Sequence, residues 1–133
     1  MSERDLIKLC AALSPVMADS VYVYCSFPDF VLPKGLPTIC TIREREGLTA
    51  VVEREDAERL SLPYMFDSRL ITLSVHSSLD AVGFMAVISR KLADADIPCN
   101  VIAGYFHDHI LVPIARAEDA MASLREIVAL SNG

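Results

Sequence analysis

Apolar residues recur at helical spacing in three stretches of the chain. In the first stretch, residues 5–13, they stand three and four positions apart, which predicts an amphipathic helix. The same spacing predicts helices over residues 80–95 and 117–130. Each has a single apolar stripe, so we expect the last two helices to pack on the same side of a sheet. The stripe residues of the first helix are Leu6, Leu9, Cys10 and Leu13.

Short apolar runs rich in Val, Ile and Tyr lie between the helices and predict β-strands. The proline-rich residues 27–37 are expected to form a loop, and residues 55–60 a short helix. Gly47 lies between two of the apolar runs, and its tolerance of positive φ favours a hairpin turn there. The predicted strands are residues 21–27, 38–43, 48–53, 69–76, 99–105 and 109–113.

The order of these elements indicates a ferredoxin-like architecture. The second half of the chain contains a strand, a helix, two strands and a helix, which is that arrangement without its last strand. Residues 48–60 resemble residues 109–121, although any strand followed by an acidic helix would show some of this likeness. We therefore predict an α+β chain of two ferredoxin-like lobes with antiparallel sheets, residues 1–66 and 67–133. Because each lobe is one strand short, we expect a strand to be exchanged, with residues 21–27 completing the C-terminal sheet.

Charge and hydropathy exclude several classes of function. The net charge is −6 and the 12 basic residues are scattered among 18 acidic ones, which does not suit binding to a phosphate backbone. The apolar runs are too short to span a bilayer, and the N-terminus has neither the charge nor the apolar run of a signal peptide. We expect a cytoplasmic protein that binds neither nucleic acid nor membrane.

Cysteine and histidine offer little support for catalysis. The cysteines lie far apart without a C-x-x-C pair, so they are interpreted as small buried residues. His107 and His109 form an H-x-H pair, but no third metal ligand has a defining spacing. Cys99 with His76 could form a nucleophilic pair, although no orienting group accompanies them. We therefore predict no enzyme activity, no metal and no cofactor. The four cysteines are Cys10, Cys25, Cys40 and Cys99.

The turn between the strand at residues 69–76 and the following helix is a candidate binding site. The N–H groups at a helix N-terminus lack intrahelical partners and can hold a carboxylate. Ser77 and Ser78 offer hydroxyls, and Gly83 would let a ligand approach the backbone closely. The alternative is that Ser77 and Asp80 simply cap the helix.

The hairpin at residues 104–109 is the second candidate. The ammonium group of an amino acid needs an acceptor, and the Asp108 carboxylate is the obvious ionised one. Alternatively, Asp108 is present because aspartate favours turns. Tyr105 and Phe106 would point to opposite faces of a continuing strand, so at most one of them would line a pocket.

Residues 70–124 resemble the ACT domains of the aspartokinase regulatory region, and especially short bacterial proteins with two ACT-like domains. The most specific pieces are SSLDAVGFMA at residues 77–86 and IPCNVIAGYFHDHILVP at residues 97–113. The resemblance implies binding of a small molecule, typically an amino acid, at an interface between lobes, in a regulatory protein. Exposed sheet edges also favour a homodimer. The alternative is a degenerate pair of domains that serves only protein–protein interaction. The candidate ligand-binding residues are Ser77, Ser78, Val82, Gly83, Phe84, Gly104, Tyr105 and Asp108.

Overall fold

A computed structural model describes residues 2–76 and 79–133. The helices are α1 (Glu3–Ala12), α2 (Arg54–Arg59), α3 (Phe84–Asp94) and α4 (Ala117–Asn132), with a short 3-10 turn at Ile114–Arg116 before α4. The strands are β1 (Ser14–Phe27), β2 (Cys40–Arg43), β3 (Leu48–Glu53), β4 (Met65–Ser74), β5 (Asn100–Ala103) and β6 (Asp108–Pro113).

The six strands form one antiparallel sheet in the order β2-β3-β1-β4-β6-β5, so the two predicted lobes share a continuous sheet. The two central strands are β1 and β4. Strand β1 is the first strand of the N-terminal half, and β4 is the first strand of the C-terminal half. Each occupies the position of the missing fourth strand of the other half. The α+β ferredoxin-like fold is thereby confirmed, and the shared strand pair accounts for the expected exchange.

Strand β1, which completes the sheet of the C-terminal half, spans Ser14–Phe27 and is longer than the predicted strand at residues 21–27. Pairing with β4 begins at Ser14, opposite Ser74. Pro15 fits here because β3 pairs with β1 only from Tyr22 onward, which leaves the start of β1 at a free edge where no ladder bond is lost. From the sequence, Ser14-Pro15 is expected to end α1 or to start a turn, because proline disfavours the helical conformation of the residue before it. In the structure both residues belong to β1.

The register of β1 against β4 shifts between Met17 and Val21, and this bulge is held by a side chain of β4. The Arg69 guanidinium donates to the Ala18 carbonyl from Nε at 3.0 Å and from an Nη atom at 2.6 Å. The bulge interrupts the period-two pattern of β1, so the pattern reveals only the second part of the strand.

All four helices place buried residues on one side of the sheet. The smaller core cluster lies over β1 and β3 and includes Val23, Ala50 and Ala57 of α2. The larger cluster lies over β4 and β6 and is filled by α1, α3 and α4. Helix α1 therefore packs on the C-terminal half of the chain, although it belongs to the N-terminal half of the sequence. Representative residues of the larger cluster are Cys10, Leu13, Ile71, Phe84, Ile88, Ile110 and Leu124.

Besides the start of β1, the predicted starts of α3 and β4 are wrong, and both errors have a backbone cause. Helix α3 begins at Phe84 rather than at residue 80, because Gly83 adopts φ +97 and stands at the N-cap. Strand β4 begins at Met65 rather than at residue 69, because Phe66 adopts φ +65 within an irregular stretch of pairing. Neither irregularity has a signature in hydrophobic periodicity.

Candidate functional site

The β4–α3 turn and the β5–β6 hairpin meet around a small cavity. The cavity measures about 220 Å³, which is smaller than the roughly 300–1,000 Å³ of pockets that hold drug-sized molecules. The two regions that the sequence singles out separately are therefore neighbours in space. The lining residues are Leu79, Ala81, Gly83, Phe84, Met85, Ala86, Ala103, Gly104, His107 and Asp108.

The first turn of α3 gives the cavity its hydrogen-bond donors. Phe84, Met85 and Ala86 line the cavity, and the backbone N–H groups of such first-turn residues have no intrahelical partner. In the described part of the chain, no side chain caps this helix. Helix α1 shows the contrast, because its N-terminus is closed by a reciprocal capping box between Ser2 and Asp5. The start of α3 is therefore able to accept an anion.

Gly83 sets the approach of α3 to α1. A Cβ atom at Gly83 would lie 3.2 Å from Cδ2 of Leu6, and the φ of +97 disfavours any L side chain. The glycine thus serves both the backbone turn into α3 and the close packing of α1. This contact brings α1 to the edge of the cavity.

The hairpin supplies the acceptors on the other side. The Gly104 N–H donates to the His107 carbonyl at 2.9 Å, which closes the hairpin. A Cβ atom at Gly104 would lie 2.9 Å from that same oxygen and 3.3 Å from Nε2 of His109, so the turn requires glycine. The Asp108 carboxylate lines the cavity and carries its negative charge.

The cavity gathers four of the eight sequence-predicted residues. Gly83, Phe84, Gly104 and Asp108 line it, and Phe84 forms a buried wall that is 2% exposed. Val82 and Tyr105 are not among the lining residues, and they are 71% and 80% exposed. Two further predicted residues, Ser77 and Ser78, lie outside the described residues.

Sequence reasoning missed the lining residues that contribute backbone or small side chains. Ala81, Ala86 and Ala103 carry no functional group, and their place follows from where α3 starts and β5 ends. Leu79, Met85 and His107 are the missed lining residues with larger side chains, and of these His107 stands next to Asp108 and could have been grouped with it. The capping alternative for the turn does not describe α3, whose N-cap is Gly83.

Four exposed apolar residues belong to the two chain segments that line the cavity. The Tyr105 and Phe106 rings pack edge to face with centroids 4.8 Å apart, and both rings face solvent. Leu79 and Val82 are exposed on the turn opposite. Strand β5 ends at Ala103, so the two aromatic residues lie in the hairpin turn rather than on alternate faces of a strand. We call these four residues the apolar rim.

His107 and His109 have hydrogen-bond partners in the fold. Nδ1 of His109 lies 2.9 Å from the Thr72 hydroxyl, and Nδ1 of His107 lies 3.4 Å from the Val75 carbonyl. Burial is the main cause that lowers the pKa of His109 below its usual value. Among residues 2–76 and 79–133, no group of three or more His, Cys, Asp or Glu side chains is placed to hold a metal ion.

Cys10 and Cys25 are buried as predicted, whereas Cys40 and Cys99 are only partly buried. Burial raises the pKa of Cys99 to about 11, so a thiolate is disfavoured at neutral pH. Burial likewise raises the pKa of Cys10, Cys25 and Cys40. Within the described residues, no helix combines the length and the hydropathy needed to cross a membrane.

Solved structures with the same fold include one with clear sequence similarity. A Vibrio cholerae protein of unknown function, described as a possible transport protein, is 40% identical, with 94% of this chain and 97% of that chain covered and a TM-score of 0.84. An Agrobacterium tumefaciens protein is 14% identical over 87% of this chain and 89% of that chain, with a TM-score of 0.75. The regulatory subunit of aspartate kinase from Thermus flavus is 11% identical over 87% of this chain and 98% of that chain, with a TM-score of 0.63. The last two similarities show the fold alone.

Family comparison identifies both halves of the sequence. One ACT-domain family model matches residues 1–69, and a second ACT-domain model matches residues 65–126. No curated protein sequence matches the chain significantly. The two domain matches support a regulatory, ligand-binding role. The chain therefore belongs to the ACT-domain family, as a tandem pair of ACT domains.

Proposed function

We propose that this protein is an amino-acid-binding regulatory protein without catalytic activity, and that the ligand occupies the cavity between α3 and the β5–β6 hairpin. The observation that carries the proposal is that one side of the small cavity favours a negatively charged group and the other side favours a positively charged group. The N-terminus of α3, which has no side-chain cap among the described residues, favours an anion, and Asp108 favours a cation. An α-amino acid carries both groups.

The geometry suggests which part of the ligand each element would contact. The carboxylate would accept hydrogen bonds from the first-turn N–H groups of α3, and the ammonium would donate to Asp108. Phe84 and Met85 would contact the apolar part of the ligand. The proposed contacts also include Ser77, Ser78, Gly83 and Gly104, whereas Val82 and Tyr105 are not among the residues that line the cavity.

A role without catalysis agrees with the chemistry of the reactive residues. The raised pKa of Cys99 disfavours a nucleophilic thiolate, and His109 is engaged with Thr72. We place the protein in the cytoplasm, as a homodimer in which unpaired sheet edges or the apolar rim meet a second copy. The two domains are proposed to divide at residues 1–66 and 67–133.

The apolar rim supports a second candidate function, a pure protein-interaction module. Four exposed apolar residues at one end of a molecule are typical of a surface that a partner covers. In a degenerate site Phe84 or Phe106 would fill the cavity. Phe106 is 63% exposed and absent from the lining, and Phe84 forms a wall of a cavity that keeps about 220 Å³ open. Amino-acid binding is therefore the preferred function.

Thermal denaturation of the full chain with each of the twenty amino acids at millimolar concentration tests the proposal. A ligand at ten times its Kd adds about 1.4 kcal/mol to the free energy of unfolding, which raises the Tm by a few degrees. Asp108→Asn should abolish the rise because it removes the acceptor of the ammonium. Asp94→Asn is the matched control, since Asp94 stands at the far end of α3, and it should keep the full rise.

The form of the ligand provides a further control. The corresponding α-keto acid lacks the ammonium, so it should stabilise the protein much less than the amino acid does. If no amino acid raises the Tm, or if Asp108→Asn and Asp94→Asn respond alike, the amino-acid site is wrong. Self-association that depends on the apolar rim would then favour the interaction module.

A further inference from the structure

A larger groove lies on the side of the sheet opposite the helices. It measures about 560 Å³, within the range of about 300–1,000 Å³ for pockets that bind organic ligands. Its floor is formed by side chains of β1, β2 and β3, among them Tyr24, Ile42 and Thr49. One wall is the segment Pro63 to Met65, where the chain enters β4. The groove is separate from the cavity at α3, because the two share no lining residue.

Two aromatic rings of the groove are held in position by other residues. The Tyr24 ring is half-buried and packs edge to face against Phe66, with centroids 6.1 Å apart. The Tyr64 hydroxyl donates to the Glu58 carboxylate at 2.9 Å, which anchors that ring to α2. A ligand would therefore meet rigid apolar walls and would lose little binding energy to side-chain ordering.

A bulge in β4 shapes the wall. Tyr22 pairs with Ser68 and Tyr24 pairs with Met65, so two residues of β4 lie opposite one residue of β1. One of the two is Phe66, which has φ +65, an uncommon conformation for a bulky side chain. Bulges of this kind redirect side chains and are common beside binding sites. Here the bulge leaves Met65 72% exposed at the edge of the groove.

The charge of the groove is negative and localised. The Glu44 carboxylate accepts a hydrogen bond from the Thr49 hydroxyl and lies at one end of the lining. No Lys, Arg or His is among the lining residues, all of which belong to the described part of the chain. The neighbouring Arg43 turns away, with its guanidinium 4.8 Å from the centroid of the Phe30 ring. The groove thus combines an apolar body with one unneutralised carboxylate.

We propose that this groove is a second ligand site and that it binds an organic amine with an aromatic body. The ammonium would donate to Glu44, and the flat apolar part would lie between the Tyr24 and Tyr64 rings. Aromatic faces also attract cations, which adds to the same preference. The site is independent of the proposed amino-acid cavity, which requires a ligand carboxylate that this groove has no cation to receive.

Titration of the ¹⁵N-labelled full chain with tryptamine, followed by NMR, tests this site. Amide shifts should cluster at Tyr24, Thr49 and Met65 and saturate with one Kd. Glu44→Gln should raise the Kd for tryptamine about tenfold, because the substitution removes the negative charge and keeps the shape of the side chain. Glu46→Gln is the matched control, since it removes the same charge from the same turn outside the groove, and it should leave the Kd unchanged.

Indole-3-acetate has the same ring system with a carboxylate in place of the ammonium, and it should not bind. The proposal is overturned if tryptamine causes no clustered shifts at millimolar concentration, if indole-3-acetate binds equally well, or if the two glutamine variants behave alike. Shifts of the groove amides with protein concentration alone would also overturn it, because a second copy of the chain would then occupy the groove. None of these outcomes depends on Asp108, so the test is separate from that of the amino-acid site.

Discussion

Single glycines allow the chain to pass close to itself at turns. Gly47 in the β2–β3 hairpin has φ +154, and a Cβ there would lie 2.8 Å from the Phe27 carbonyl oxygen. The hairpin is closed by hydrogen bonds between Glu44 and Gly47 in both directions. The groove residue Glu44 is therefore positioned by a turn that only glycine can complete.

Replacement of Gly47 by Ala should lower the free energy of unfolding by roughly 3 kcal/mol, because the added methyl group meets backbone atoms that cannot move aside. Gly35→Ala is the matched control. Gly35 has φ +76 but open space around its Cβ position, so only conformational strain of about 1 kcal/mol is expected. Urea denaturation of both variants measures the difference. Equal losses would contradict the steric explanation.

Residues with a distinctive charge or backbone requirement could be identified from the sequence. Asp108 is the acidic residue of the hairpin at residues 104–109, and Gly83 and Gly104 stand at turns, so all three were expected at a site. Cavity residues such as Ala81 and Ala103 could not be identified, because small apolar residues are equally common throughout the core. Their role follows from position alone.

Among the elements, α1 shows most clearly that order in the sequence differs from order in space. Its apolar stripe predicts a buried face, and the structure packs that face on α3 and α4. The Asn132 side-chain amide of α4 also donates to the Ala11 carbonyl at 3.2 Å. The stripe indicates that α1 is buried, but it carries no information about which core covers it.

We expect Leu13→Ala to lower the free energy of unfolding by about 3 kcal/mol, since Leu13 is 4% exposed in the larger core cluster at the end of α1. Ile7→Ala should change it by no more than about 0.5 kcal/mol, because Ile7 is 49% exposed on the same helix. Thermal or urea denaturation distinguishes the two. A small effect of Leu13→Ala would mean that α1 does not contribute to this core.

Several helix and strand boundaries depend on backbone features that cannot be read from the periodicity of apolar residues. The helices over 5–13 and 117–130 agree closely with α1 and α4, because their apolar stripes run nearly to their ends. The start of α3 and the starts of β1 and β4 were displaced, in each case by a glycine, a bulge or a positive φ. Such features lie in single residues and leave the average pattern of a segment unchanged.

For the whole molecule, the consequence of the shared sheet is mutual dependence of the two halves. Strand β1 pairs with β3 on one side and with β4 on the other. The larger core cluster contains Cys10 and Leu13, which the C-terminal half does not itself supply. Each half is also near the lower size limit for an independent core.

A fragment of residues 63–133 should therefore fail to fold on its own, although it keeps all of β4 and every later element. It would expose the edge of β4 and the apolar surface that α1 covers. Circular dichroism should show no cooperative thermal transition for the fragment, and a single transition for the full chain. A cooperative transition in the fragment would contradict the dependence and support two autonomous domains.

Local patterns of residues determined the class of this protein. The alternation of strands and helices, the single stripe on each helix and the motifs at residues 77–86 and 97–113 were sufficient to predict a tandem ACT-type fold, because these signals are short-range. The tertiary structure decided which strand completes each half, which core receives α1, and that the α3 turn and the hairpin enclose one cavity. It also revealed the groove with Glu44. These features bring together residues that are distant in the sequence, and no local spacing records such contacts.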